Sequence, residues 1–293
     1  LSFKDTCTMG NGPPQQGSEL DSALGDATER INAQAWDRMA RMAHPLAQPV
    51  REEELRDPLR VVDEVGWLGG DIRGWRVLCL AAAGGRHSIL YASAGAEVTV
   101  VDISPGMLEL DRQMAALRRI PLRLFQASMT SMPMLEAAEF DLVIHPVSTC
   151  YLADLGQVFH EVSRVLRPGG LYVSQHKHPM NLQASLLPVA GKYVIEHPST
   201  AATCVSGVQG PSRLREPGTH EFVHSLDSLL GGICRAGMVI EDFVEPRHAQ
   251  PDKPPGTFGH RCSFIPPYLR VKARKPTKGT AEHQASRRWI GAP

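Results

Sequence analysis

From Trp75 onward the chain alternates between two periods. Val77-Leu78-Cys79-Leu80 is an unbroken apolar run that stops at the small residues Ala81–Gly85. Such a run, bounded by small residues, predicts a strand buried on both faces. Residues 86–94 predict a helix closed by Gly95. Val98–Val101 repeats the strand signal and ends at Asp102, and Ser104-Pro105 then predicts an N-cap and a first-turn proline. Met107, Leu110, Met114 and Leu117 recur at helical spacing behind it. Further strands are predicted at 122–125, 140–145 and 171–175. The helix at 154–166 turns Leu155, Val158, Phe159, Val162 and Leu166 inward and stops at Pro168-Gly169-Gly170. A helix at 226–236 and strands at 238–244 and 264–274 complete the pattern. Strands alternating with short helices predict an α/β fold, a doubly wound, mostly parallel seven-stranded sheet with helices on both faces. In such sheets ligands bind beyond the carboxyl ends of the strands, so candidate site residues are sought in strand-to-helix loops.

The flanks read differently. Ile31, Ala35, Met39 and Met42 predict a helix over 27–43, with Asp26 and Glu29 as a capping pair, Trp36 beside the stripe, and Pro45 and Pro49 as the stop. A second helix is predicted over 52–66. Residues 26–70 are therefore expected to form an N-terminal helical lid, ahead of a cofactor-binding core at 71–176 and its completion at 223–275. Residues 177–222 are rich in Pro, Ser, Thr and Gly with little periodicity. A loop that long inside a compact unit is usually functional, and this one follows the fifth strand, over the same crevice. Residues 1–25 read as a disordered leader and 276–293 as a flexible tail.

The chain has 293 residues, of which 42% are hydrophobic, enough for a full core without disulfide staples. Thirty-one basic residues balance thirty-one acidic ones. That balance disfavours a protein that grips nucleic acid or anionic membrane by bulk charge. No window approaches the roughly 18 apolar residues of a membrane helix, and a cytoplasmic location is expected. None of the six cysteines forms a Cys-x-x-Cys pair, so they read as reduced thiols. His176 and His178 are spaced like a metal pair but have no acidic cluster beside them in sequence, and no metal is expected.

A strand, a tight small-residue loop, a helix and a second strand ending in an acid form the arrangement that holds an adenosine. Small residues let the backbone approach the ligand, the helix N-terminus offers free N–H groups, and the carboxylate accepts hydrogen bonds from ribose hydroxyls. Here the loop is Ala81–Gly85 and the carboxylate is Asp102. The stretches VLCLAAAGGRHS, VTVVDISPGML, FDLVIHP and VSRVLRPGGLYVS resemble class I S-adenosylmethionine-dependent methyltransferases. HSLDSLLGGICRAGMVIEDFVEP and IPPYLRVKARK are similar to the C-terminal end of their small-molecule members. The resemblance covers about two thirds of the chain and implies a Rossmann-like fold with S-adenosyl-L-methionine as donor and S-adenosyl-L-homocysteine as product. It puts Ala81, Ala83 and Gly85 at the methionine half of the cofactor and Asp102 at the ribose. Ile103 and Met107 then flank the adenine, Ser128 and Met129 meet its amino edge, His145 stands beside the sulfonium, and Trp36 closes over it. Cys79 and Ser128 stand where the family usually has acids, and Ala81 and Ala83 where it has glycines.

The donor does not identify the acceptor. Transfer from a sulfonium needs in-line positioning, and a base only where the acceptor must lose a proton. His176, His145 and His178 are the candidate bases, with His220 and His224 further along and Tyr151 a candidate substrate contact. A small-molecule acceptor of secondary metabolism is expected as partner, neither nucleic acid nor membrane is, and a homodimer is compatible with the fold. Two other readings stand beside this one: a nicotinamide-dependent oxidoreductase on the related fold, and a non-catalytic cofactor-binding scaffold.

Overall fold

A computed structural model describes residues 16–81, 84–198, 203–207 and 212–277. Ala83 of the predicted loop, residues 1–15 of the leader and the tail beyond Thr277 lie outside the described residues. The first half comprises α1 (Gln16–Arg41), α2 (Pro58–Val62), β1 (Arg76–Leu80), α3 (His87–Ser93), β2 (Glu97–Asp102), α4 (Pro105–Arg118), β3 (Leu122–Gln126) and β4 (Phe140–His145). The second half comprises α5 (Gly156–Val165), β5 (Leu166–Lys177), α6 (Pro179–Gln183), β6 (Thr203–Ser206), β7 (His220–Val223), α7 (Gly232–Arg235), β8 (Val239–Val244), α8 (Phe258–Arg261) and β9 (Tyr268–Arg274).

Seven strands form one sheet in the order β3-β2-β1-β4-β5-β9-β8, and β6 pairs with β7 separately. β1 to β5 pair in parallel, and β9 inserts antiparallel between β5 and β8. The apolar run of β1 is what centres the sheet. Successive side chains point to opposite faces, so Leu78 and Leu80 join one core with Phe140, Phe159 and Val162, while Val77 and Cys79 join the other with Val98 and Ile144. This double burial puts the loop after β1 in the middle of the carboxyl edge, with the ends of β2 and β4 on either side.

Several expectations shift. α1 starts at Gln16, so ten residues of the predicted leader are helical and the helix runs through Asp26, which is no cap. Its buried face is Thr28, Asn32, Ala35 and Met39, whereas Ile31 is 36% and Met42 78% exposed. The reason is that α1 packs on a polar partner: the Asn32 side chain receives the His220 N–H at 2.8 Å and donates to the His220 carbonyl at 3.0 Å. In α4, Leu117 is exposed, and the inward stripe is Met107, Asp111 and Ala115. The predicted helix at 52–66 breaks into one 3₁₀ turn at Glu54–Arg56 and the short α2. Pro58 disfavours a helical conformation at Asp57, which instead caps α2. The helix expected at 226–236 begins as a π-helical turn, Asp227–Gly231, before α7.

The aperiodic stretch after β5 is organised by polar contacts that leave no hydrophobic period. Arg261 is wholly buried. Its guanidinium donates to Asn181 Oδ1 at 2.5 Å and to the carbonyls of Ser185, Asn181 and Ala184 at 2.9, 3.0 and 3.2 Å. Replacing it by a residue without donors leaves those acceptors buried and unpaired. Arg261→Met is expected to lower stability by roughly 2–4 kcal/mol in urea unfolding, and a loss under half a kcal/mol, on the order of a surface substitution, would contradict this account.

Candidate functional site

A cavity of ≈ 550 Å³ opens at the carboxyl ends of β1, β2, β4 and β5, roofed by α1. Most of the predicted site residues line it: Trp36, Ala81, Asp102, Ile103, Met107, Ser128, Met129, His145 and Tyr151. Gly85, His176 and His178 are not among its lining residues.

The loop after β1 departs from ordinary alanine geometry. Ala81 has φ +49°, in the left-handed region where a Cβ is strained. Gly85, at φ +80°, faces away from the cavity and packs on α4: a Cβ there would stand 2.7 Å from Met114 Cγ and 3.1 Å from the Leu110 carbonyl oxygen. Its N–H donates to Asp111 Oδ1 at 2.8 Å, and the Ser88 hydroxyl donates to the same oxygen. Asp111 thus ties the loop to α4 and α3. No motif in the sequence marks it, because a single acid on an otherwise amphipathic helix looks like a solvated position. Burial pushes it up to about 6, against the two donors.

Asp102 ends β2 with Oδ1 accepting the Ser104 N–H at 2.8 Å. Burial first, and the neighbouring Asp111 and Asp37 carboxylates with it, push Asp102 up to about 7, while the Ser104 N–H opposes them. Ser104 does cap α4, through the Met107 N–H at 3.1 Å. Its hydroxyl also donates to Asp37 Oδ1 of α1 at 2.6 Å, and the Gly106 N–H meets the same oxygen at 2.9 Å. Gly106 leaves room for that contact, since a Cβ would come within 2.9 Å of the oxygen. The lid helix is therefore fastened to the loop that presents Asp102.

Ser128 brings in a residue that sequence reasoning treated only as a cap. Its hydroxyl donates to Glu29 Oε1 at 2.9 Å, and Glu29 lines the cavity. A carboxylate from α1 thus stands beside the position where the acid expected after the third strand is missing. Cys79, at the other missing acid, lies in the core, and burial pushes its thiol well up.

The histidines separate. His145 is fully buried yet lines the cavity, with Nδ1 2.8 Å from the Tyr172 hydroxyl and Nε2 without a hydrogen-bond partner among the described residues. Burial lowers it to about 3, so it is a neutral imidazole. His176 is buried with both ring nitrogens engaged, Nδ1 with Thr149 Oγ1 and Nε2 with Ser174 Oγ, each at 2.8 Å. His178 caps the short α6 through the Met180 N–H and faces Glu245 at 3.2 Å. His176 lies within β5 and His178 just past its end, and the two rings are held by different partners. His220 serves α1 through its backbone, and His224 Nε2 is 2.9 Å from the Leu152 carbonyl oxygen.

At the lid end, Trp36 meets Tyr151 edge-on, with ring centroids 6.1 Å apart. Glu216, from the aperiodic stretch, reaches the cavity wall there with Tyr268 and Arg270 of β9. The sequence pattern carried no signal for Glu216, since nothing in it pairs that carboxylate with Lys177.

Residues 78–174 match the methyltransferase-domain family. The uncharacterized methyltransferase YbaJ of Bacillus subtilis is 26% identical over 230 residues, which are 74% of this chain and 89% of that protein. An S-adenosylmethionine-dependent methyltransferase from Mesorhizobium loti superposes with TM-score 0.52 at 20% identity, over 73% of this chain and 99% of its own. The 1,6-didemethyltoxoflavin-N1-methyltransferase of Burkholderia thailandensis, solved with that substrate and S-adenosylhomocysteine bound, gives TM-score 0.50 at 14% identity over 91% and 93%. At those identities the structural likenesses speak for the fold. The sheet order and its single antiparallel insertion define a class I methyltransferase fold. Residues 78–174 of the chain thus match a methyltransferase domain, set in a sheet of that fold.

The strained turn is directly testable. Ala81→Gly relieves the left-handed backbone but adds freedom to the unfolded chain, so a net gain of about 0.5–1 kcal/mol is expected in thermal unfolding. Gly85→Ala should lose roughly 2–3 kcal/mol, because strain and the close approach of α4 act together. A stabilising Gly85→Ala would show that this loop is held differently.

Proposed function

We propose that the cavity takes S-adenosylmethionine at the β1–β2 end and a small-molecule acceptor at the lid end, in secondary metabolism. The observation that carries the cofactor half is the Asp102 carboxylate, buried at the cavity wall beside the left-handed turn of Ala81. The residues present fit the group. The ≈ 550 Å³ volume suits a nucleoside with an amino-acid arm, and the unpartnered Nε2 of His145 is a buried polar atom waiting for a ligand. When bound, S-adenosylmethionine supplies an electrophilic methyl group on a sulfonium.

Asp102 would accept the ribose hydroxyls. Ala81 would admit the methionine half, with Gly85 acting behind it to shape the turn. Ile103 and Met107 would flank the adenine, and Ser128, Met129 and Glu29 would meet its amino edge. His145 would line the reacting end as a neutral hydrogen-bonding wall, and Trp36 with Tyr151 would exclude water above it. A group that protonates only near pH 3 is a poor proton acceptor, and His176 and His178 are spent on structural bonds, so we assign the histidines no proton transfer. The small-molecule acceptor is supported by the size of the cavity and by the Burkholderia neighbour, which holds 1,6-didemethyltoxoflavin. Among the described residues no helix is long and apolar enough to cross a membrane.

Calorimetry with S-adenosylhomocysteine tests the cofactor half. Asp102→Asn is expected to weaken binding about 10–100-fold and Glu29→Gln about tenfold or less, the ranges for hydrogen bonds to charged acceptors. The ribose needs Asp102 charged, and the carboxylate stands near 7 in the free protein. Wild-type affinity should therefore fall as the pH is lowered from about 8 to about 6, and Asp102→Asn should lack that component. Wild-type affinity and pH response in Asp102→Asn would rule out the assignment.

A further inference from the structure

The cofactor contacts account for one end of the cavity and leave a buried charge cluster at the other. Lys177 of β5 has a side chain 1% exposed. Its Nζ lies 2.5 Å from Glu216 Oε2, 2.7 Å from Glu221 Oε2 and 3.0 Å from the Leu214 carbonyl oxygen. One ammonium thus serves two carboxylates withdrawn from water. Two ionised carboxylates there would leave an uncompensated buried charge, a costly arrangement. Burial, partly opposed by Lys177, pushes Glu221 up to about 8, so near neutral pH it keeps its proton. For Glu216 burial acts in the same upward direction, but the Lys177 charge and its hydrogen bonds carry the group below its ordinary value. The cluster divides the labour: Glu221 is the neutral brace, Lys177 the counter-ion, and Glu216 the carboxylate that meets the cavity.

A second observation points to a ligand at the same spot. The Tyr151 side chain lines the cavity, and its buried hydroxyl, near the Glu216 carboxylate, has no hydrogen-bond partner in bonding geometry among the described residues. Burial and the adjacent Glu216 both hold it in its phenol form. An unpaired buried hydroxyl is costly, and a bound group that hydrogen-bonds it relieves that cost. The groups facing Glu216 are Lys177 from β5, Glu221 from β7, Cys150 and Tyr151 from the turn after β4, and Tyr268 from β9. Lys177 is already shared by two carboxylates, and Arg270, the cation on the same cavity wall, is held by Glu64 at 3.1 Å and by Gln175 at 2.6 Å. A ligand group placed here is therefore received by a hydrogen-bond acceptor, and an anionic group is repelled.

We propose that Glu216, braced by Lys177 and Glu221, receives the hydrogen of the methyl acceptor in a hydrogen bond, so that the site selects hydroxyl or amine acceptors and orients the acceptor atom. The proposal rests on the methyltransferase reading and adds to it the chemical class of the acceptor. In the step, the acceptor oxygen or nitrogen forms its bond to the methyl carbon. The sulfur–methyl bond breaks with its electron pair going to sulfur, and the acceptor's proton is lost to water once the new bond to the methyl carbon has formed.

Four probes of similar size separate the chemistries: phenol, benzylamine, anisole and benzoate. Each is titrated against the protein in saturating S-adenosylhomocysteine and read by ligand-observed NMR. Phenol and benzylamine are expected to bind at least about tenfold more tightly than anisole and benzoate, the discrimination a charged hydrogen bond supplies. Glu216→Gln should abolish the preference for benzylamine over benzoate and leave S-adenosylhomocysteine affinity unchanged, and Glu216→Asp should restore part of it. Four equal affinities in the wild type, no binding of any probe up to its solubility, or full discrimination in Glu216→Gln would each overturn the proposal. If Glu216→Gln does not fold, the wild-type ranking alone decides. Absence of S-adenosylhomocysteine binding would count against the methyltransferase reading instead, and the probe ranking on the free protein would still judge Glu216.

Discussion

A carboxylate withdrawn from water must be met by donors, and around this cavity that requirement organises the molecule. Asp111 draws in the Gly85 N–H and the Ser88 hydroxyl, Asp37 draws in Ser104 and Gly106, and Glu216 and Glu221 share Lys177. Each pairing joins elements distant in sequence: the first loop to α4, the lid helix to the loop after β2, and β5 to the stretch before β7. Two of these acids do more than hold the frame. Asp102 and Glu216 also line the cavity, and in the function proposed above they face what enters it.

The same logic accounts for the lid. α1 does not sit on the sheet as an apolar stripe against an apolar face. Asn32 bonds to the backbone at His220, Asp37 to the α4 N-terminus, and Glu29 to Ser128. These polar contacts place Trp36 over the cavity and bring a carboxylate to the edge where the core lacks one. They also couple the lid to both ends of the cavity, since the loop after β2 and the strand β7 beside Lys177 are its two anchors.

Departures from the family pattern then read as redistribution. Alanine replaces glycine at 81 and the turn keeps its left-handed shape under strain, held by the Asp111 contact behind it. Serine replaces an acid at 128, and Glu29 stands next to it. Cysteine replaces an acid at 79 and joins the apolar core. The carboxylate beside Ser128 is thus supplied by the lid helix.

The alternation of apolar runs with helical stripes was enough to place all seven sheet strands, the loop after β1, and Asp102 and His145 at strand ends, because strand burial and the carboxyl-edge rule depend on local pattern. The helix faces were less legible. Ile31, Met42 and Leu117 counted as inward by period but point outward, since their helices bury Asn32 and Asp111 instead. The candidate bases His176 and His178 lay rightly at the end of β5, but whether a ring opens on a cavity or on a hydroxyl is decided by the neighbours that fold against it. The pairing of Lys177 with Glu216 and Glu221, the seating of Arg261 on three backbone carbonyls, and the meeting of Glu29 with Ser128 arose only in three dimensions. Apolar burial repeats with the period of the chain and so is written along it. A buried charge is satisfied by single donors arriving from anywhere, and only the folded structure says which ones arrive.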